Sequence, residues 1–382
     1  MIVNFEFLDN EPIENMMTSL HFQIEKVVFF GYEDVIAEKE KVTERFLKKY
    51  CGVKEVVFCA LSNRDLNSVT KTMREVIARE KNQGHELFFD ITGGEDLLLV
   101  AFGMMAESFS APMHRFDVKT CELTEFQVEA VTPISKVVPR QNIKLNLDGY
   151  IEMYGGMINY HLQKDTKHLD SPEMEKDIEN LWTISSSYKE KWNFFSDFLR
   201  RCCEPDENLR VDITGKQVLA TLRKINRFRS IRELGKILLD CGDAGVLQEF
   251  VHTSERLSFV YKSEKIKDLL WDAGSILEMH TFMEERIGAD DCRVGVHLDW
   301  DGVLYNHSAK DTINEIDVLS LHGVIPTFIS CKNGTVNQMA LYELETVAER
   351  FGGKYARKVL AAPQGLNETH TLRAKEMNIE IR

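Results

Sequence analysis

The chain has 382 residues, 43% of them hydrophobic and 28% charged, with a formal net charge of −14. The length suggests two or three domains and the balance is that of a globular protein. The acidity excludes a protein that coats nucleic acid by bulk electrostatics, though not one that grips phosphates at a single site.

No stretch approaches the roughly 18 apolar residues that span a bilayer. The opening MIVNFEFLDNEP lacks the basic n-region and cleavage site of a signal peptide, so the expectation is a cytoplasmic protein without a membrane partner. The eight cysteines contain no C-x-x-C pair, which argues against zinc and for reduced, buried thiols.

Within the first 120 residues, IVNFEFL, EKVVFFG, VKEVVFCAL, HELFFDIT and MHRFDV predict strands, being short, Val/Phe/Ile-rich runs that end in turn residues. DLNSVTKTMREVIAREKNQG and GEDLLLVAFGMMAESF predict helices between them. Strand–helix alternation with near-continuously apolar strands predicts an α/β fold with a parallel, doubly wound sheet. Residues 120–150 predict further strands and a connector, and 150–255 a charged helical region. A long helix is predicted from Ser263, as N-cap, to Gly288. CRVGVHLDW, NEIDVLSL and VIPTFISCK then predict strands, and a helix follows from about Val336 to Arg350, with Thr335 and Gln338 as a capping box. The resulting division is 1–145, 146–255 and 256–382. In 256–382 there are 15 basic against 19 acidic residues, but from Arg350 to Arg382 there are 7 against 3, which predicts a basic patch beside the last strands.

The chemistry is carried by NEIDVLSLHGVIPTFISCKNG. Side chains alternate faces along a strand, so Glu315 shares a face with Asp317, and Ser330 with Lys332. A tight turn centred on His322 and Gly323 sets 317 against 328 and 315 against 330, and all four groups then point the same way. A slip of one residue would turn Lys332 away. Carboxylates hold Mg²⁺ or Mn²⁺ through oxygen. Such an ion acidifies an attacking water and neutralises phosphate charge, while a lysine stabilises charge developing in the transition state. Glu278, on the preceding helix, is a candidate third acid. An ordinary cross-strand charge pair is the bland alternative. Against it stand the strongly apolar neighbours Ile316, Val318, Phe328 and Ile329, among which half-buried charges without a task are uncommon. The histidines His297, His307 and His322 form no helical H-x-x-x-H pair and are expected at surface or turn positions.

GSILE, NEIDVL, ISCKNG and QMALYELETVAERFGGK, in that order, resemble the nuclease domain of CRISPR-associated effectors that couple a sensor to a PD-(D/E)XK restriction-endonuclease-like fold. The resemblance implies that Glu278, Asp317 and Lys332 are catalytic. It also implies a metal on Asp317 and the main-chain carbonyl of Cys331, with Mn²⁺ or Mg²⁺ as cofactor. The family pattern has Glu or Asp two residues before the lysine, where this chain has Ser330. Glu315 is the candidate to supply the missing charge, as a further metal ligand and catalytic group.

At the strand ends of the first sheet, Thr92-Gly93-Gly94-Glu95 opens a helix, where backbone N–H groups suit a phosphate or ribose. Neither a G-x-G-x-x-G after the first strand nor a P-loop is present, which disfavours dinucleotides. DITGGEDLLLVA resembles the strand–loop–helix of CRISPR-associated Rossmann-fold (CARF) domains. That implies a homodimer binding a cyclic oligoadenylate, most naturally cyclic tetra-adenylate, at Asp9, Asn10, Ser62, Asn63, Thr92, Gly93, Gly94 and Glu95. The function implied is a cyclic-oligoadenylate-activated endonuclease acting on DNA or RNA in type III CRISPR antiviral defence. Two alternatives are a ligand-responsive nucleic-acid-binding regulator without catalysis, in which DITGKQVLATLRKINRFRSIRELGKILLD hides a helix-turn-helix, and a nuclease scaffold made degenerate by Ser330.

Overall fold

The computed structural model describes residues 1–127, 134–138, 145–162, 171–225, 231–305 and 313–382. Its five N-terminal strands fall where their apolar runs predict: β1 (Ile2–Phe7), β2 (Lys26–Gly31), β3 (Glu55–Ala60), β4 (Glu86–Asp90) and β5 (Met113–Asp117). They run parallel in the order β3-β2-β1-β4-β5, and β6 (Glu122–Gln127) and β7 (Ile134–Val138) add an antiparallel edge. Between the parallel strands run α1 (Met17–His21), α2 (Glu33–Phe46), α3 (Leu66–Asn82) and α4 (Asp96–Phe109). One face of the sheet, with Val3, Phe5, Phe30 and Phe89, is buried under Met73 and Ile77 of α3 and Leu98 and Phe102 of α4. The strand order reverses between β1 and β4, the crevice where open α/β sheets bind ligands.

The region after α5 (Leu147–Met153) is not purely helical. The short β8 (Met157–Ile158) joins the C-terminal sheet. After α6 (Pro172–Tyr188) and α7 (Glu190–Cys202), the chain forms β9 (Arg210–Thr214), α8 (Gly215–Ile225), α9 (Ile231–Asp243), β10 (Leu247–His252) and β11 (Arg256–Tyr261). The three strands make a separate antiparallel sheet ordered β10-β11-β9. Its core contains Trp192, Phe195 and Phe198 from α7, with Val211, Leu234, Ile237 and Phe259.

The helix predicted from Ser263 to Gly288 is two helices, α10 (Glu264–Trp271) and α11 (Ser275–Glu285). Ser263 caps the first by accepting from Ile266 N, as expected. Asp272 breaks the run, because its carboxylate accepts from Gly274 N and Ser275 Oγ, a local turn that competes with the helix. The third sheet has the order β16-β15-β14-β13-β12-β8. It comprises β12 (Asp291–Asp299), β13 (Ile313–His322), β14 (Ile325–Cys331), β15 (Arg357–Ala361) and β16 (Ile379–Ile381), with α12 (Gln338–Gly352) and α13 (Glu368–Glu376) between strands. The cap of α12 is Asn337, accepting from Ala340 N, in place of the predicted Thr335–Gln338 box. Alternation sorts neighbouring strand residues to opposite cores: Val318, Ile329 and Val359 to the one holding α11, and Leu319, Phe328 and Leu360 to the one holding α12. The α12 core runs on without a break through Tyr150 and Ile151 of α5 to Phe46 of α2 and to Val27 and Phe29 of the first sheet. Burial of each such side chain stabilises by about 1.5–3 kcal/mol, so the two sheets are joined by substantial apolar contact.

All eight cysteines are free thiols, three buried and five half-buried. No helix among the described residues is long and apolar enough to cross a membrane.

Candidate active site

Strands β13 and β14 pair as Val318↔Ile329, Leu319↔Phe328 and His322↔Ile325. The connecting loop is Gly323–Val324, with Gly323 at φ +65°, which suits the first central position of a two-residue hairpin turn. The pairing therefore sits two residues from the predicted register, and Asp317 lies opposite Ser330. A shift of two preserves which face each side chain takes, so Asp317, Ser330 and Lys332 still converge.

Asp317 is the centre of the cluster. Its Oδ2 accepts from Cys331 N at 2.5 Å and from Ser330 Oγ at 3.2 Å, and lies 3.6 Å from Lys332 Nζ. All three contacts fall on Oδ2. The side chain of Asp317 is 16% exposed and that of Lys332 40%, so the amine stands at the mouth and the carboxylate deeper. Glu278 approaches from α11, whose Thr281 meets the Cys331 thiol at 3.7 Å. Burial first, then the charges of Asp317 and Glu278, holds that thiol well above its ordinary range. Glu315 instead faces His297 across the β12–β13 ladder, 3.7 Å from its Nε2, and is 41% exposed. His297 is thus a mid-strand residue at the edge of the site and not in a turn. His322 sits at the hairpin and pairs with Glu285 at 3.2 Å, while His307 lies outside the described residues.

The sequence reading missed the brace behind Lys332. Lys332 N donates to Ala361 O at 2.8 Å. Asn333 donates through Nδ2 to Ala273 O at 3.0 Å, and its carbonyl accepts from Asn193 Nδ2 of α7 at 2.8 Å. One asparagine so ties the loop after β14 to the α10–α11 break and to α7. Nothing in its sequence context marks it. Between the flanking pairs Val294↔Val318 and Val296↔Ile316, the residue facing Asp317 on β12 is Gly295, which has no side chain to fill the space beside the acid.

Among the described residues no three His, Cys, Asp or Glu side chains gather around one point. The candidate donors, Asp317 and Glu278, are oxygen ligands. One or two carboxylates completed by water and substrate suit Mg²⁺ or Mn²⁺ better than zinc.

At the other end of the molecule, β1 and β4 are adjacent, so the Asp9–Asn10 turn neighbours Thr92–Glu95. Asp9 is a turn residue whose Oδ1 accepts from Asn10 N at 2.5 Å, while Asn10 is exposed. Thr92 Oγ1 accepts from Phe116 N at 2.9 Å, locking β4 to β5. Gly94 is at φ +135°, and a side chain at Gly93 would meet Glu14. Glu95 precedes α4 without a side-chain cap on its N–H groups. Ser62 and Asn63 are exposed at the end of β3, and two unpredicted residues link that loop to β4: Arg64 lies over the Tyr32 ring, and Tyr32 OH donates to Glu95 Oε2 at 3.0 Å.

No protein-family profile matches the chain, and no curated protein does. Among solved structures, protein VC1899 from Vibrio cholerae superposes with a TM-score of 0.70 at 16% identity, covering 100% of this chain and 93% of that one. Can2 from Sulfobacillus thermosulfidooxidans, in complex with cyclic tetra-adenylate, superposes with a TM-score of 0.68 at 13% identity, covering 100% and 95%. The chain shares their fold from end to end.

The two ends are joined by polar contacts as well as by the common core. The loop after β1 carries Glu11 and Glu14, and the turn after α12 carries Lys354 and Tyr355. Lys354 N donates to Glu11 Oε1 at 3.2 Å, Lys354 Nζ to Glu14 Oε2 at 3.0 Å, and Tyr355 OH to Glu14 Oε1 at 2.5 Å. Beside them opens a cleft of about 720 Å³ lined by Asn10, Glu11, Tyr154, Trp300 and Arg350. The predicted basic patch between Arg350 and Arg382 is largely neutralised. Arg357, Lys358, Arg373 and Arg382 pair with acids, Lys354 pairs with Glu14, and Arg350 donates to the carbonyls of Tyr154 and Trp300.

Proposed function

We propose that the chain is a metal-dependent nuclease of the PD-(D/E)XK type, switched on by a cyclic oligoadenylate. The observation that carries this reading is the convergence of Asp317 and Lys332 on one side of the β13–β14 ribbon, next to α11, the helix of Glu278, which meets Cys331 through Thr281. In this reading residues 1–145 form a CARF sensor, 146–255 a connector and 256–382 the nuclease, in a cytoplasmic homodimer. Val100, 54% exposed, and Met104 form an apolar outer face on α4 that supports dimerisation through the sensor.

Asp317 and Glu278, with the carbonyl of Cys331, would hold Mn²⁺ or Mg²⁺. When bound, such an ion acidifies water and neutralises phosphate charge. The chain's own groups do the rest. Cys331 N–H and Ser330 Oγ–H orient Asp317 without adding a second negative charge, so serine acts here as a donor in the position of the usual acid. Lys332, anchored by Ala361 O and the Asn333 brace, presents its amine to the charge that develops on the phosphate. Glu315 contributes from the rim, through His297. The sensor ligand is assigned to Asp9, Asn10, Ser62, Asn63 and Thr92–Glu95, a placement supported by the fold shared with Can2 and its bound cyclic tetra-adenylate.

The test is cleavage of RNA, single-stranded DNA and plasmid with Mn²⁺, with and without cyclic tetra-adenylate. Stimulated cleavage that is lost in Lys332→Ala is expected. Undiminished cleavage by that variant would exclude this site, and binding without any cleavage would favour a non-catalytic regulator.

A further inference from the structure

The segment from β9 to β11 has an architecture the sequence only hinted at. A strand is followed by two helices and then a hairpin, all on one three-stranded antiparallel sheet: β9, α8, α9, β10, β11. This is the order of a winged helix, in which α8 and α9 form the helix-turn-helix and the β10–β11 hairpin the wing. The helices are fixed from below by Val218, Leu234, Ile237 and Leu238, all buried. Gly235 lies against the ring of His252, where a side chain would clash at 2.9 Å, so the wing strand lies alongside the first half of α9.

The charge of this unit is set against that of the whole chain. Residues 216–236 contain seven Lys or Arg and a single acid, Glu233, in a protein of net charge −14. Lys216, Arg223 and Lys224 are exposed on α8 and Lys236 on α9, and among the described residues none of the four has an ion-pair partner. Six of the seven cations between Arg350 and Arg382, all but Lys375, are held by acids or carbonyls, as described above, whereas these are available. Of the acids of α9, Glu233 lies in its first half beside Arg232 and Lys236, and Asp240 and Asp243 lie in its second half. The first half of α9 keeps one net positive charge against the two acids of its second half, and it is the end that a recognition helix presents to base edges.

We infer that the α8–α9 face is a second nucleic-acid site, independent of the metal centre, that docks the phosphate backbone of duplex DNA with α9 in the major groove. B-form DNA has a major groove that admits a helix, and A-form RNA does not. The site is connected to the proposed catalytic ribbon through α7. Helix α7 contributes Trp192 and Phe195 to the winged-helix core, and its Asn193 holds the carbonyl of Asn333, next to Lys332. Duplex bound here is therefore linked through α7 to the loop that carries Lys332.

The experiment is fluorescence anisotropy of the full chain with a labelled DNA duplex of about 20 base pairs, in chelator and without activator, across a salt series. Binding should weaken with salt, and the triple variant Arg223→Glu, Lys224→Glu, Lys236→Glu should lose at least about tenfold in affinity and flatten the salt slope by about two to three. The milder triple Gln variant, which only removes charge at exposed positions, should move the same way by less. An RNA duplex of the same sequence should bind at least about tenfold more weakly. Wild-type affinity or an unchanged slope in the variants, or equal binding of RNA and DNA duplexes, overturns the inference. Because metal and activator are absent, a chain that binds duplex but never cleaves would defeat the nuclease reading alone. Activated cleavage with wild-type duplex affinity in the variants would defeat this one alone.

Discussion

A single carboxylate oxygen, Asp317 Oδ2, carries a backbone donor, a hydroxyl and a neighbouring amine. The backbone donor cannot be removed by mutation, which ranks the substitutions. Ser330→Ala leaves Cys331 N–H in place, so cleavage should fall less than about tenfold. Asp317→Asn removes the negative charge altogether and should cost at least about 100-fold in kcat at saturating Mn²⁺. Equal losses in the two variants would mean that the serine is itself a metal ligand. That Asp317 and Lys332 meet was legible in the sequence, because face depends only on parity. The register was not, because a Gly-Val turn and a His-Gly turn differ by two residues and leave the same hydrophobic pattern. A second residue-scale test lies in the sensor. Asp90 is buried, and that burial pushes its carboxyl from near 3.8 to about 6, against the lowering effect of Thr18 and Thr92. The acid is raised on folding, so its stabilising contribution is complete below pH ~4 and lost as pH climbs through 6, a change on the order of 3 kcal/mol. The wild-type unfolding temperature should therefore rise on going from pH 7 to pH 5. Asp90→Asn should be the more stable protein at pH 7 and lose its advantage at pH 4.5. A variant less stable than wild type at pH 7 would refute the assignment.

The parallel strands were legible as elements, since burial on both faces writes unbroken Val and Phe runs. Helix α2 was missed because its sequence, EDVIAEKEKVTERF, buries only Thr43 and Phe46 and shows little apolar stripe. Strands β9 and β10 were missed because each buries only alternate positions at most, in charged surroundings that read as helix or loop. Elements also carry the coupling. The loop after β1 holds the predicted ligand residues Asp9 and Asn10 and the acids Glu11 and Glu14, and those acids grip the turn that feeds β15, the partner of β14. Lys354→Ala breaks one side of this link and touches neither proposed site. It should leave activator affinity, measured by calorimetry, within about twofold, and reduce the stimulation of cleavage by roughly 5- to 150-fold, the usual range of a coupling free energy. Full stimulation in this variant would show that the signal travels elsewhere.

Over the whole molecule, apolar continuity and polar contacts make the same connection. One buried cluster includes Phe29 of the first sheet, Phe46 of α2, Tyr150 of α5, and Leu344 and Phe351 of α12, so the two ends cannot separate without exposing it. Trp300 sits on this seam, with its ring against Phe351 and its Nε1 donating to Asn314 at 2.6 Å. It therefore reports on the C-terminal sheet, from the cleft that it shares with Asn10 and Glu11 of the loop after β1. A ligand that binds only the folded sensor stabilises whatever unfolds with it, by about 2.7 kcal/mol at a concentration 100 times its Kd. If the seam makes the ends cooperative, cyclic tetra-adenylate should raise the tryptophan-monitored unfolding midpoint by about 2–6 °C, as one transition. The shift should survive in Lys332→Ala, whose substitution lies outside the seam. Two transitions, with only a tryptophan-silent one responding to ligand, would mean that the sensor unfolds by itself and that the shared core is too weak to transmit its state.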